Sequence, residues 1–124
     1  MATDVEIAQQ FTPQPITKIS DALNISADHV NPYGRDIAKI DVNALSKPQG
    51  KKGRLILVSA TTPTPSGEGK TTTTIGLGQA FTQLNESVCL ALREPSLGPC
   101  LGMKGGATGG GYSQIMPADR INLH

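Results

Sequence analysis

The sequence predicts an α/β fold in which an apolar strand feeds a glycine-bearing loop, then a helix, then a second apolar strand. Three observations carry this. Leu55-Ile56-Leu57-Val58 is a continuous apolar run of strand length, as in strands buried on both faces of a parallel sheet. From Lys70 to Leu84 the period turns helical, with Leu77, Phe81 and Leu84 on one face and Ile75 and Ala80 near it. Val88 to Leu92 is a second buried-looking run, so residues 54–93 have about the length of one βαβ unit.

The elements follow in chain order. Residues 1–50 read as a helical N-terminal arm. Asp4 to Gln10 can form one short helix, ended by Pro13 and Pro15. Ile16, Ile19 and Leu23 recur at helical spacing, which predicts a second helix over residues 15–24. Ser26 is placed to cap a brief turn through Val30, and Pro32 with Gly34 breaks it. A short helical or extended stretch follows near Ile37 and Ile40, and Pro48 to Gly53 is a basic turn. Residues 51–124 then read as the start of a second domain. Asn85 ends its helix. Residues 94–124 are mostly loop, with Gly102, Gly105, Gly106, Gly109, Gly110 and Gly111 close together.

Composition bounds the function. The chain has 124 residues, 37% hydrophobic and 17% charged, which argues against wholesale disorder. The net charge of +1 supplies no field for nucleic acid or anionic lipid. With no Trp, two Tyr and two Phe there is little stacking platform for single-stranded nucleic acid. Early acids at Asp4 and Glu6 without an apolar stretch predict no secretory signal, and the longest strongly apolar run is far short of a membrane span. Cys89 and Cys100 fit no zinc spacing and read as reduced thiols of a cytoplasmic protein. Two parallel strands and one helix cannot cover both faces of a sheet, so the expectation is the N-terminal part of a larger protein. The alternative is a small domain that pairs its sheet edge with a partner.

The strand 55–58 runs into Thr62-Pro63-Thr64-Pro65-Ser66-Gly67-Glu68-Gly69-Lys70-Thr71, a P-loop pattern. Gly67 and Gly69 let backbone N–H groups converge on an anion, and the following helix adds its positive dipole end. Lys70 supplies a mobile charge for a transferring phosphate, and the Thr71 hydroxyl is placed to bind magnesium. By average residue frequencies such a match arises by chance in roughly one chain of this length in several hundred. Its place between strand and helix makes chance a poorer explanation still. Thr64 stands where the full pattern has glycine, so this is a deviant form of the motif. The predicted fold is therefore P-loop NTPase-like and incomplete. Arg93 and Glu94 end the second strand at the same sheet edge. There Arg93 can clamp a carboxylate or phosphate, and Glu94 can hold magnesium through water or hold Arg93; a surface ion pair is the plainer reading. The segment Lys104 to Tyr112 reads either as a flexible linker or as a loop whose backbone approaches a ligand.

At these residues the chain resembles the formate–tetrahydrofolate ligase family. The likeness rests on Thr62 through Leu77, Ala91 through Pro99, Gly102-Met103-Lys104-Gly105-Gly106, Gly109 through Tyr112, the closing Ile121 to His124, and the stretch from Pro15-Ile16 to Tyr33-Gly34. It is dense over residues 13–124 and corresponds to about the first fifth of the enzyme. The resemblance implies a ligase of one-carbon metabolism that makes 10-formyltetrahydrofolate from formate, tetrahydrofolate and ATP through formyl phosphate. It implies that Thr64, Pro65, Ser66, Gly67, Glu68, Gly69, Lys70 and Thr71 form the ATP phosphate loop. Lys70 stabilises the transferring phosphoryl, Arg93 clamps formyl phosphate, and Thr71 faces the metal. The glycine-rich segment becomes an ordered active-site wall. ATP and magnesium are the implied cofactors, with a monovalent cation admissible beside them, and the parent enzyme is a homotetramer. The 124-residue chain alone is expected to be inactive. The competing expectations are another deviant P-loop ATPase, of the partition or bacterial tyrosine kinase type, and a non-catalytic truncated product.

Overall fold

A computed structural model describes residues 2–46, 52–62, 69–93, 108–117 and 120. Among the described residues the fold is a small α/β arrangement of three α-helices and two short antiparallel β-ribbons. The chain forms two compact units, Met1–Phe11 with Leu57–His124, and Thr12–Ile56.

In the first unit, α1 spans Asp4–Ala8. Thr3 and Glu6 close a capping box: the Glu6 N–H donates to Thr3 Oγ1 at 3.3 Å, and the Thr3 N–H donates to Glu6 Oε2 at 2.7 Å. The Thr-x-x-Glu spacing is the sequence signature of that box. These Thr3 hydrogen bonds, from backbone first and then side chain, hold the Glu6 carboxyl below its ordinary range. Ile7 is the buried residue of α1.

Helix α3 spans Lys70–Gln83, within a residue of the span its period predicts. Its buried residues are Ile75 and Gly78, rather than the expected stripe centred on Leu77, Phe81 and Leu84. Leu77 and Phe81 are half-buried and Leu84 is exposed. The shift has a steric cause. A Cβ at Gly78 would lie 2.7 Å from a Leu90 methyl, so the bare backbone there admits the Val88–Leu92 run against the helix. Asn85, at φ 58°, ends α3 as expected. The Asn85 N–H donates to the Thr82 carbonyl and the Glu86 N–H to the Phe81 carbonyl, the paired bonds of a Schellman motif.

β3 (Gly109–Gly110) and β4 (Ser113–Gln114) form an antiparallel ribbon that packs on α3. Gly111, at φ 58°, takes the first position of its two-residue turn, where positive φ calls for glycine. For residues 108–114 this is ordered structure, not a flexible linker; Lys104 to Ala107 lie outside the described residues.

The two apolar runs join no ladder among the described residues. Leu55 is 94% and Leu57 83% exposed, while Val58, Val88 and Leu92 are half-buried. An apolar run encodes burial, but a strand forms only where neighbours accept its backbone bonds.

In the second unit, α2 spans Ile16–Ala22 with Ser20 buried. A second Schellman closure ends it: Asn24, at φ 55°, donates to the Asp21 carbonyl and Ile25 to that of Ser20. Ser26 precedes a 3₁₀ turn, Ala27–His29, but its side chain makes no capping bond. β1 (Val30–Pro32) then pairs antiparallel with β2 (Ala38–Ile40), Val30 opposite Ile40. The stretch near Ile37 and Ile40 is thus extended, and the arm is not wholly helical. Pro32 is accommodated because a two-stranded ribbon is all edge. Lys39 Nζ lies 4.8 Å from the Tyr33 ring centroid, a cation–π contact beside the turn. The Ile16 N–H donates to the Arg35 carbonyl at 2.8 Å and ties α2 to that turn. Asp41 caps a second 3₁₀ turn, Val42–Leu45, by accepting from the Asn43 N–H.

Candidate functional site

The candidate site is the start of α3. Gly69 stands at its N-cap in the left-handed region, φ 67°, ψ 20°. A Cβ there would meet nothing within 4 Å, so the demand for glycine is conformational and not steric. A left-handed residue followed by right-handed helix turns successive N–H groups toward one centre, the geometry of an anion nest. As a glycine, Gly69 brings no side chain to cap this end. The Gly69 carbonyl already accepts from the Thr73 N–H at 2.9 Å, so the helix is fully wound from its first residue. With the first N–H groups of a helix come its positive dipole end, and both favour an anion.

Lys70 and Thr71 follow directly, Lys70 exposed and Thr71 half-buried. The four threonines of this turn are not equivalent. Thr74 Oγ1 donates back to the Lys70 carbonyl at 2.8 Å, which commits its hydroxyl to the helix. Thr71 is the half-buried threonine beside the lysine, where a hydroxyl can serve a hard cation. The donor set present at this end therefore suits a magnesium-bound polyphosphate: backbone N–H groups, an ammonium and a hydroxyl.

The other expected residues divide. Thr64, Pro65, Ser66, Gly67 and Glu68 lie outside the described residues, as does Glu94. Arg93 is described and exposed, at the end of the run whose Leu90 rests on Gly78 of α3. Cys89 is a free, exposed thiol, and Cys100 lies outside the described residues. Among the described residues no cluster of three His, Cys, Asp or Glu side chains comes together, and no helix is long and apolar enough to cross a membrane.

Sequence reading missed how the glycine ribbon is held. Gln79, two turns and more along α3, donates from Nε2 to the Tyr112 carbonyl at 2.6 Å and accepts at Oε1 from Ser113 Oγ at 3.3 Å. On the other side the Gly111 N–H donates to Asp4 Oδ1 at 2.9 Å. Gln114 Nε2 donates to the Asp4 carbonyl at 2.9 Å and to the Gly111 carbonyl at 2.7 Å. No periodicity or spacing announces contacts between residues this far apart in sequence. The one available signal was a polar Gln79 amid the apolar part of an otherwise Thr- and Gly-rich helix.

A family profile described as formate–tetrahydrofolate ligase matches residues 2–124. A formate–tetrahydrofolate ligase of Zymomonas mobilis is 58% identical over 128 aligned positions, covering 100% of this chain and 22% of that protein. Those of a Methylobacterium species and of Thermosipho africanus are each 54% identical over 125 positions, covering 100% of this chain and 22% and 23% of theirs. The chain thus spans less than a quarter of the length of these curated relatives.

Proposed function

The chain belongs to the formate–tetrahydrofolate ligase family, and from that premise we propose that it is the nucleotide-binding N-terminal part of a ligase making 10-formyltetrahydrofolate from formate, tetrahydrofolate and ATP. The observation that carries the phosphate-site reading is left-handed Gly69 opening α3 at Lys70. In this reading residues 64–71 are the phosphate loop, and residues 51–124 begin a P-loop NTPase-like domain whose parallel sheet the apolar runs 55–58 and 88–92 would enter. Residues 1–50 are its N-terminal arm. The exposed apolar side chains of Leu55 and Leu57 call for cover, and the reading supplies it from a longer chain that assembles as a homotetramer. A soluble, cytoplasmic setting suits the free Cys89 thiol.

The chemistry needs two anions brought together. Formate oxygen attacks the γ-phosphorus, the bond to the β-phosphate oxygen breaks, and ADP leaves with that electron pair. The amine of tetrahydrofolate then attacks the formyl carbon, and phosphate departs. Each step concentrates negative charge, and formyl phosphate is destroyed by water. Preorganised positive groups in a dry site are the remedy. The Lys70 ammonium follows the transferring phosphoryl group, and the N–H groups at the start of α3 hold the phosphates in register. Arg93 offers two parallel N–H donors to the formyl phosphate oxygens. The Thr71 hydroxyl would hold magnesium, which when bound neutralises phosphate charge. No nucleophilic side chain is required, and a monovalent cation would add only charge.

The test is formate-dependent release of ADP by the full-length protein that carries this segment, in wild-type and Lys70→Met forms. The reading predicts release that needs formate, 10-formyltetrahydrofolate as product, and loss of both in the variant. Steady ADP release indifferent to formate would instead identify a different P-loop ATPase. The isolated 124-residue chain is expected to make no 10-formyltetrahydrofolate in a coupled assay.

A further inference from the structure

The glycine ribbon Gly109–Gln114 is gripped from two sides, and one grip sits on the nucleotide helix. Its seat on α3 is built by absent side chains. A Cβ at Gly76 would lie 3.1 Å from Ser113 Oγ, and one at Gly109 would lie 2.7 Å from Ile75 Cδ1 and collide with the Ser113 carbonyl. Close approach alone would leave the ribbon free to slide along the helix, because contacts to bare backbone have no directional preference. Gln79 removes that freedom. Its amide gives a donor to the Tyr112 carbonyl and an acceptor to Ser113 Oγ. A side-chain amide offers a donor and an acceptor side by side on one rigid plane. From the far side Asp4 accepts from the Gly111 N–H, and Gln114 returns a bond to the Asp4 carbonyl. The ribbon is thereby pinned to one register on a helix whose first residues are Lys70 and Thr71. Nine residues of α-helix separate Gln79 from Lys70, a stiff lever of about 13 Å.

We propose that Gln79, backed by Asp4, is a positioning residue: the pair clamps the glycine ribbon to α3 and so fixes where the start of that helix presents its N–H groups, Lys70 and Thr71. The inference rests on reading that end as the site of MgATP phosphates. Small displacements of groups that act on a transferring phosphoryl are costly, so the clamp acts on nucleotide first and on folate little.

The experiment measures KM for MgATP and for tetrahydrofolate, with kcat, in the full-length protein carrying Gln79→Glu, Asp4→Ala, Asp4→Asn or Lys70→Met. Gln79→Glu sets a carboxylate oxygen against the Tyr112 carbonyl. Asp4→Ala removes the acceptor for Gly111, and Asp4→Asn restores it through the amide oxygen. The clamp predicts a KM for MgATP raised about fivefold or more in Gln79→Glu and Asp4→Ala, the loss of about one hydrogen bond's net worth. It also predicts a tetrahydrofolate KM within about twofold of wild type, and an Asp4→Asn protein close to wild type. Unchanged values in both impaired variants, or equal rises for the two substrates, overturn it. Should Gln79→Glu fail to fold, the exposed Asp4 pair decides the matter alone. If Lys70→Met leaves both kcat and the KM for MgATP intact, the nucleotide reading fails and the clamp falls with it. If Lys70→Met lowers kcat or raises that KM while the clamp variants change nothing, the clamp alone is wrong.

Discussion

The last turn of α3 is closed by its own backbone, whereas its first turn is opened by a glycine that has no side chain to cap it. At the C-terminal end Asn85 adopts φ 58°, and the Asn85 and Glu86 N–H groups satisfy the carbonyls of Thr82 and Phe81. At the N-terminal end Gly69 adopts nearly the same left-handed conformation, φ 67°, and as a glycine it brings no capping side chain. One backbone conformation thus serves opposite ends. At a C-terminus it folds donors back onto orphan carbonyls and finishes the helix from within. At an N-terminus it turns donors outward, where an anion completes them. α1 sharpens the contrast, since its Thr3–Glu6 box satisfies its N-terminal donors with the chain's own carboxylate.

The comparison breaks most visibly at Lys70. Lys70→Met removes the ammonium at the start of α3, and kcat is expected to fall by about 100-fold or more, the cost of deleting a charge-stabilising group. Initial-rate assays on the full-length protein check this. Gly69→Ala comes next. The left-handed backbone costs an L-residue about 1–2 kcal/mol, so MgATP binding is expected to weaken about tenfold in a titration, with a small loss of stability. At the closed end the sign of the comparison reverses. Asn85→Ala is expected to cost about 1 kcal/mol in a denaturant titration and leave the KM for MgATP unchanged, and Asn85→Gly to stabilise slightly. A change in nucleotide affinity at Asn85 would erase the distinction between the two ends.

The smallest effect concerns the box at α1. The Glu6 carboxyl is held below its ordinary range by Thr3. Its contribution is therefore fully present above the unfolded carboxylate value and is lost as pH falls through the lower folded one. The stability difference between wild type and Glu6→Gln should narrow as pH falls through that window. A difference constant across it would show that Thr3 does not favour the ionised form.

What could be read from the sequence was local. The α3 span, the Asn85 stop and the Gly69-Lys70-Thr71 start each depend on neighbours within a few residues, and each stands where expected, although the buried face of α3 is turned toward Ile75 and Gly78. The Ile37–Ile40 stretch was ambiguous because three residues of strand carry too little pattern to separate from a helical turn. Leu55–Val58 has the composition of a buried strand, yet Leu55 and Leu57 stand exposed, because pairing is non-local and the described neighbours do not supply it. The Asp4 and Gln79 clamp lay beyond reach for the same reason. Its partners are polar, common residue types brought together by tertiary packing, and no spacing marks them.

The most direct test of the two-ended account is amide hydrogen exchange in the full-length protein with and without MgATP. The account predicts added protection at the amides of Gly69 through Thr72 and none at Leu84 through Glu86. Equal protection at both ends, or none at the first, would contradict it.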